Sequence, residues 1–397
     1  MANIDPKTPG VYVEEISSGA RPIQAVSTRT AGFVGVAPNA ARAVNKAVAV
    51  NQWSEFLRDF ASDETGDRKK FTSTHLSQAV FGFFLNGGER CIVVNIGTSG
   101  TIQNGLDVLE KIDGVAIVTA PGYITPEAYS AIREHCDKMR ERVGILDGPE
   151  NMDDDVMFQL SGESVATLGN WTMPEPSDLG QLTLYVPWIQ VSNPERNSDK
   201  TLETMFVPPS GHIAGIWARS DATRGVHKAP ANEIVNGALG LARQITQEEQ
   251  AMLNRTGVNV IRFFRDEGYL VWGARTLSKD AAFRYLNVRR LFNMIEESIA
   301  ESTRWIVFEP NDHPLWKAIR RDVTAFLLGL WRDGALMGRT PEEAFYVKCD
   351  EETNPIESIR AGKVTIEVGL APVLPAEFII FRISQDEAGT EIDMLSA

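Results

Sequence analysis

Five short apolar runs set the rhythm of the first half of the chain: AGFVGVA (31–37), CIVVNIG (91–97), GVAIVTAPG (114–122), RVGILDGP (142–149) and LTLYVPWIQV (182–191). Each is close to continuously apolar, the pattern of strands covered on both faces of a parallel sheet. The stretches between them carry a helical period instead. SQAVFGFFLNGG (77–88) ends at glycine, and TPEAYSAIREHCDKMR (125–140) sets Thr125 as N-cap with Pro126 at the first helical position. Strand–helix–strand repetition at this spacing predicts an α/β layer with right-handed crossovers.

The rhythm breaks at 150–180 (ENMDDDVMFQLSGESVATLGNWTMPEPSDLG), which is polar with weak periodicity and reads as an inserted surface loop. From Val226 the pattern turns helical and mixed. ANEIVNGALGLARQITQEEQAMLNRTG (231–257) precedes a hairpin-like pair, VNVIRFFRDEGYLVWGART (258–276), with Asp266-Glu267-Gly268 at its turn. Two long amphipathic helices then follow. Residues 281–308 line up Val288, Leu291, Phe292, Ile295 and Ile299 in one stripe. Residues 313–336, with Pro314 near the start, line up Trp316, Ile319, Val323, Phe326, Leu327 and Leu330, and set Lys317, Arg320, Arg321 and Arg332 on the adjoining face. Arg289-Arg290 and Glu296-Glu297 share the first of these helices and are expected to form surface bridges.

Both ends of the chain raise the same question. KVTIEVGL (363–370) alternates, with Val364, Ile366, Val368 and Leu370 on one face, and AEFIIFRIS (376–384) is almost continuously apolar, so two strands are expected there. At the other end, PGVYVEEISSGARPI (9–23) is a short strand-like run cut off by Ser17-Ser18-Gly19. A lone strand leaves its backbone N–H and C=O groups unpaired. On pattern alone, whether it completes a sheet of its own chain or of a neighbouring chain stays open.

Composition narrows the classes. The chain has 397 residues, 43% of them hydrophobic, enough for two or three domains at about 100–200 residues each. No run reaches the ~18 apolar residues of a membrane helix and no signal-like segment opens the chain, so it is expected to be made and folded in the cytoplasm. Cys91, Cys136 and Cys349 are too far apart for a disulfide framework or zinc spacing and are expected to be buried thiols. The net charge of −14, with no dense basic run, argues against nucleic-acid binding.

Candidate chemistry is thin. GTSG (97–100) follows an apolar run, but only His75 precedes Ser99 and no G-x-S-x-G occurs, so a strand-to-helix turn is expected and not a triad. No Walker or complete G-x-G-x-x-G pattern accompanies it. Asp153-Asp154-Asp155 lacks the spacing of a cation loop, and His75, His135, His212, His227 and His313 share no ligand spacing. No catalytic residue, cofactor or metal site is expected.

Longer strings carry a resemblance. PGVYVEEISSGARPIQAVSTRTAGFVGVA (9–37), FFLNGGERC (83–91), VPPSGHIAGIWARSDATRGVHKAPANE (207–233), YLNVRRLFNMIEESI (285–299), TRWIVFEPND (303–312), TPEEAFYVKCDEETN (340–354) and GKVTIEVGLAPVLPAEFIIFRI (362–383) closely resemble the tail sheath proteins of contractile phage tails and related injection machines. The matches run in order from residue 9 to 383 and are weakest at 38–75 and 150–180. The resemblance implies a mixed α/β and α+β fold. A middle α/β domain (23–280), subtilisin-like and non-catalytic, would project outward. A small α+β inner assembly domain would combine the N-terminal arm (1–22) with the C-terminal third (281–397). It further implies strand exchange between subunits through Val11, Tyr12, Val13, Glu14 and Ile16 of the arm and Phe378, Ile379, Ile380, Phe381 and Ile383 of the last strand.

The same resemblance implies hexameric layers stacked helically around an inner tube, and a sheath that shortens to drive the tube through an envelope; the basic stripe of Lys317, Arg320 and Arg321 is then either a tube contact by charge complementarity or an ordinary solvated face. The implied partners are further copies of the chain, the tube protein, and baseplate and terminator proteins, without nucleic acid or membrane insertion. A type VI sheath fits less well, because two separate chains make it. Two other readings stand beside this one: a soluble hydrolase-like α/β enzyme with a crevice near Gly97 or Asp147, and a baseplate or terminator protein with a sheath-like fold.

Overall fold

All five continuously apolar runs enter one sheet. The computed structural model describes residues 22–62, 73–162, 171–193 and 204–380. In chain order the strands are β1 Ala31–Gly35, β2 Ala47–Val50, β3 Cys91–Asn95, β4 Ile117–Thr119, β5 Val143–Asp147, β6 Leu182–Val186, β7 Ile189–Ser192, β8 Thr204–Val207, β9 Glu233–Ile234, β10 Gly240–Leu241, β11 Val258–Phe264, β12 Gly268–Val271, β13 Phe345–Lys348 and β14 Glu367–Leu370. The large sheet has the order β2-β3-β1-β4-β5-β6-β11-β12-β9. Its centre, from β3 to β11, is parallel, in registers such as Phe33 opposite Val93 and Leu146 opposite Leu184. Antiparallel β2 on one side, and β12 with β9 on the other, form the edges. β1, β3, β4, β5 and β6 are buried along their whole length, which is why their sequences do not alternate.

Helices cover both faces. On one face the helices His75–Leu85 and Ser210–Arg224 meet almost backbone to backbone. A methyl group on Gly211 would stand 2.3 Å from the Ala79 Cα, and one on Gly215 2.4 Å from the Phe83 carbonyl oxygen. No side chain fits at either position, so glycine sets the approach of the two helices. On the other face lie Ile102–Leu109 and Pro126–Met139. The latter begins as its sequence specifies: Thr125 accepts from the Ala128 amide at 3.3 Å, and proline follows the cap. GTSG is a turn into Ile102–Leu109, capped by Thr101.

Several expectations need correction. LTLYVPWIQV is two strands, β6 and β7; Pro187 cannot donate to a ladder, and β7 departs into a separate sheet of order β10-β7-β8. Residues 231–257 are helical only at Gln247–Arg255. Upstream, Asn232 and Gly237 adopt φ of +58° and +86°, and the short strands β9 and β10 pair with distant partners. The 150–180 segment is not a plain surface loop. It contains the helix Asp154–Leu160, capped by Asp153, and Trp171 is buried with its Nε1 donating to the Tyr129 hydroxyl at 3.0 Å. The acidic run is thus a cap and first helical turn, where negative charge meets the positive end of the helix.

The last third builds its own core around the helices Leu286–Ser302 and His313–Arg332. Leu291, Ile295, Ile319, Val323 and Leu327 are buried in it, as the stripes predict. The partner of β14 is β13, a strand that sequence patterning did not mark, and the described part of the expected second strand, residues 376–380, pairs with nothing in the ladder. Cys91, Cys136 and Cys349 are buried free thiols.

Candidate assembly surface

The described chain enters through the C-terminal unit, not through the central sheet. Ile23 is packed in the C-terminal core. The Gln24 and Val26 amides donate to Ser302 Oγ and Ser298 Oγ at 3.2 and 3.0 Å, laying this segment along the helix Leu286–Ser302 before it reaches β1. Val11, Tyr12, Val13, Glu14 and Ile16 lie outside the described residues.

A buried ion pair locks this entry to both units. Arg290 donates from Nη1 and Nη2 to the two carboxylate oxygens of Asp221, at 2.9 and 2.6 Å. It also donates to the Thr28 carbonyl at 3.0 Å and lies 4.8 Å from the Trp217 ring centre. The two side chains are 3% and 2% exposed. Arg290 is therefore not the surface charge its sequence suggested. Arg289 does reach Glu296 at 3.2 Å, but its own side chain is buried too, over the Phe283 ring. A clue was present: Arg290 stands four residues from both Leu286 and Met294, inside the apolar side of the helix.

The two-stranded sheet is the open element. β13 and β14 pair antiparallel, Phe345 opposite Leu370, and no further strand joins them among the described residues. Two strands alone are marginal in water, so here the underlying helices supply the support: Val364, Ile366, Val368 and Leu370 pack on the C-terminal core. Beyond β14 the chain runs on in extended form to Phe378, Ile379 and Ile380, which are 74%, 75% and 80% exposed. Phe381 and Ile383 lie outside the described residues. Three consecutive bulky apolar side chains in water form a patch that a partner would cover.

Lys317, Arg320, Arg321 and Arg332 are exposed along the outer face of His313–Arg332. Arg321 donates to the neighbouring Asp322 at 2.9 Å. Lys317 and Arg320 line a cleft of about 320 Å³ whose opposite wall carries Asp350, Glu351 and Glu352. The basic stripe thus has an acidic counterpart on its own chain, which the sequence reading did not anticipate.

At the strand ends a hydroxyl meets a carboxylate, Ser210 with Asp147, but both are buried. Asp147 accepts from the Ser210 amide and hydroxyl at 2.8 and 2.7 Å and from the Gly122 amide at 3.0 Å. Burial pushes its carboxyl up to about 6, against the lowering effect of those three donors. Ser210 and Asp147 are 0% and 2% exposed, so a substrate has no access to them. His212 is buried with its Nδ1 unpartnered, and burial pulls it down to about 4, leaving it neutral. These groups hold the start of the helix Ser210–Arg224 on the ends of β5 and the loop after β4.

Comparisons with known proteins agree with this layout. Residues 99–277 match the phage tail sheath protein central domain and residues 278–386 the phage tail sheath C-terminal domain. The solved sheath of the anti-feeding prophage in its contracted state is 30% identical, with a TM-score of 0.74 over 96% of this chain and 100% of that one. The sheath of the extracellular contractile injection system PVC, also contracted, is 28% identical with a TM-score of 0.76, covering 97% and 99% of the two chains. The tail sheath protein of Escherichia phage P2 is 24% identical across 94% of each chain. The alignment spans only 66% of a prophage major tail sheath protein from Pseudomonas aeruginosa and 42% of the Salmonella phage ViI tail sheath protein, which are longer. The chain belongs to the tail sheath protein family of contractile phage tails and injection systems.

Proposed function

We propose that this chain is the repeating structural subunit of a contractile sheath. It polymerises helically in hexameric layers around an inner tube, anchors on a baseplate below and a terminator above, and shortens to drive the tube through a target envelope. The observation that carries this reading is the C-terminal unit, which among the described residues is a two-stranded sheet followed by an extended, exposed Phe378-Ile379-Ile380 segment. An open ladder with alternating apolar side chains is what strand addition uses, main-chain hydrogen bonds giving affinity and side chains giving register. The N-terminal run with Val11, Tyr12, Val13, Glu14 and Ile16 supplies the complementary strand from a neighbour. Residues 1–22 and 281–397 then act together as an inner assembly domain, with most of 23–280 outside; Ile23, packed in the C-terminal core, carries the inner unit past residue 22.

Lys317, Arg320 and Arg321 are proposed to face the tube, with charge setting register and steering. Their exposure supports this; Lys317 and Arg320 face an acidic wall and Arg321 is paired with Asp322, which leaves Arg332 the freest of the stripe among the described residues. Electron microscopy of the full chain beside a variant lacking residues 1–20 tests strand exchange. Hollow polymers from the first and none from the second are expected, and full polymers from the second would refute it. For the tube contact, Arg320→Glu with Arg321→Glu is expected to abolish co-sedimentation with tubes; unchanged co-sedimentation would dispose of that assignment.

A further inference from the structure

The exposed segment does not simply trail away from β14. After β14 the chain is stitched down repeatedly: the Met337 amide donates to Ala371 O at 2.7 Å, the Ala371 amide to Ala344 O at 2.9 Å, and Asn287 Nδ2 to Val373 O at 3.1 Å. The last stitch is Glu377. Its carboxylate receives both Nε (3.0 Å) and Nη2 of Arg275, and the Tyr285 hydroxyl stands 3.5 Å away. Arg275 is itself held by donating Nη1 to the Asn254 carbonyl at 2.8 Å, with its guanidinium 5.9 Å from the Tyr285 ring centre. Side-chain exposure is 12% for Arg275 and 19% for Glu377, then rises to 74% at the very next residue. Arg275 falls in the central-domain match and Glu377 in the C-terminal-domain match, so this pair spans the two units at the base of the free segment.

We propose that the Arg275–Glu377 pair is a positioning clamp that aims Phe378-Ile379-Ile380 away from the chain's own body, pre-organising it to pair with a second copy of this chain. The inference rests on the sheath reading and adds to it the residues that set the direction of the exchanged strand. A bidentate guanidinium–carboxylate pair fixes direction as well as distance, which a single hydrogen bond does not. Seating a segment before it meets its partner removes part of the ordering cost of association. An unclamped tail would sample many directions, including folding back over its own exposed side chains.

The test uses the full-length chain and a Glu377→Gln variant, which keeps the shape of the side chain and removes its charge. Sedimentation of polymer over a dilution series, with tubes supplied where the chain needs a template, reads the concentration for half-assembly. That concentration is expected to rise roughly five- to thirty-fold. Hydrogen exchange on the soluble subunit should show faster exchange of the Ala371 and Met337 amides, whose bonds stitch the chain down ahead of the clamp, with the nine-stranded sheet unchanged, and Arg275→Glu combined with Glu377→Arg should recover part of the assembly. A Glu377→Gln chain that assembles at the parent concentration overturns the clamp. So does a loss of assembly that merely follows a fall in subunit melting temperature. Failure of the unaltered chain to polymerise with tubes present is a distinct result: it overturns the sheath reading, and the clamp with it.

Discussion

The central sheet and the β13–β14 sheet are built from the same residue types but end in opposite states. In the first, β1 and β3 to β6 are wholly buried, the edges are short antiparallel strands, and helices fit onto the faces closely enough to need glycine. In the second, two strands rest on helices and the chain beyond them holds three bulky apolar side chains in water. A sheet with short, blunted edges completes itself within one chain, while an open one stores its remaining pairing for another chain. The two regions are joined by apolar contacts, Ile23 and Val226 in the C-terminal core and Leu286 in the central one, and by two ion pairs, Arg290 with Asp221 and Arg275 with Glu377. On the sheath reading proposed above, the rigid unit and the pairing unit are kept distinct in this way.

The most damaging way to break the contrast is at the joint. Arg290→Ala would leave the Asp221 carboxylate, 2% exposed, without its counter-charge and Trp217 without its stacked cation. Removing one partner of a buried pair costs about 3–5 kcal/mol. Denaturant unfolding of the variant is expected to show that loss. A change under 1 kcal/mol would mean the joint is held by apolar packing and not by the ion pair.

The next test separates folding from assembly. Ile379→Ser with Ile380→Ser should leave subunit stability within about 0.5 kcal/mol, because both side chains already face water. Under the proposed strand exchange, the same change should raise the concentration for half-assembly roughly a hundred-fold, since two isoleucines would lose burial against a neighbouring copy. Equal effects on melting temperature and on polymer yield would erase the distinction between the two sheets.

How much of this was legible in the sequence follows the same division. Strands buried on both faces write themselves as unbroken apolar runs, so β1, β3, β4, β5 and β6 could be read directly, as could the Thr125-Pro126 helix start. The run 376–384 carries the same signature, yet its described part joins no ladder, because local patterning records that a strand wants a partner and not whose strand that is. β13 was missed because FYVK is four residues long and follows directly on the short helix Pro341–Ala344. Residues 231–246 read as helical from their composition, but pairing with β12 and β7 overrode local preference. The clamps escaped for a plainer reason: Asp221 and Arg290, or Arg275 and Glu377, are brought together only by the tertiary fold.

The mildest test lies on the same joint and depends on pH. Glu297, on the helix Leu286–Ser302, lines a small pocket with Glu141, Thr28 and Arg290. Partial burial, then the charges of Glu141 and Glu301, push its carboxyl from 4.5 up to about 7; Arg142 opposes this and Asp113 adds slightly to it. The folded chain therefore binds a proton that the unfolded chain has already released. The sign follows: this contribution to stability is complete below about pH 4.5 and is lost as the pH rises through about 7. Glu297→Gln should match the parent in acid and exceed it at pH 8 by on the order of 1 kcal/mol, once solvent screening of a half-buried group is allowed for. Melting curves at pH 4.5 and pH 8 read the difference. A variant no more stable than its parent at pH 8 would show that Glu141 and Glu297 relax apart on ionisation. The joint would then yield at its acidic rim, while the bidentate Arg290–Asp221 pair stays closed.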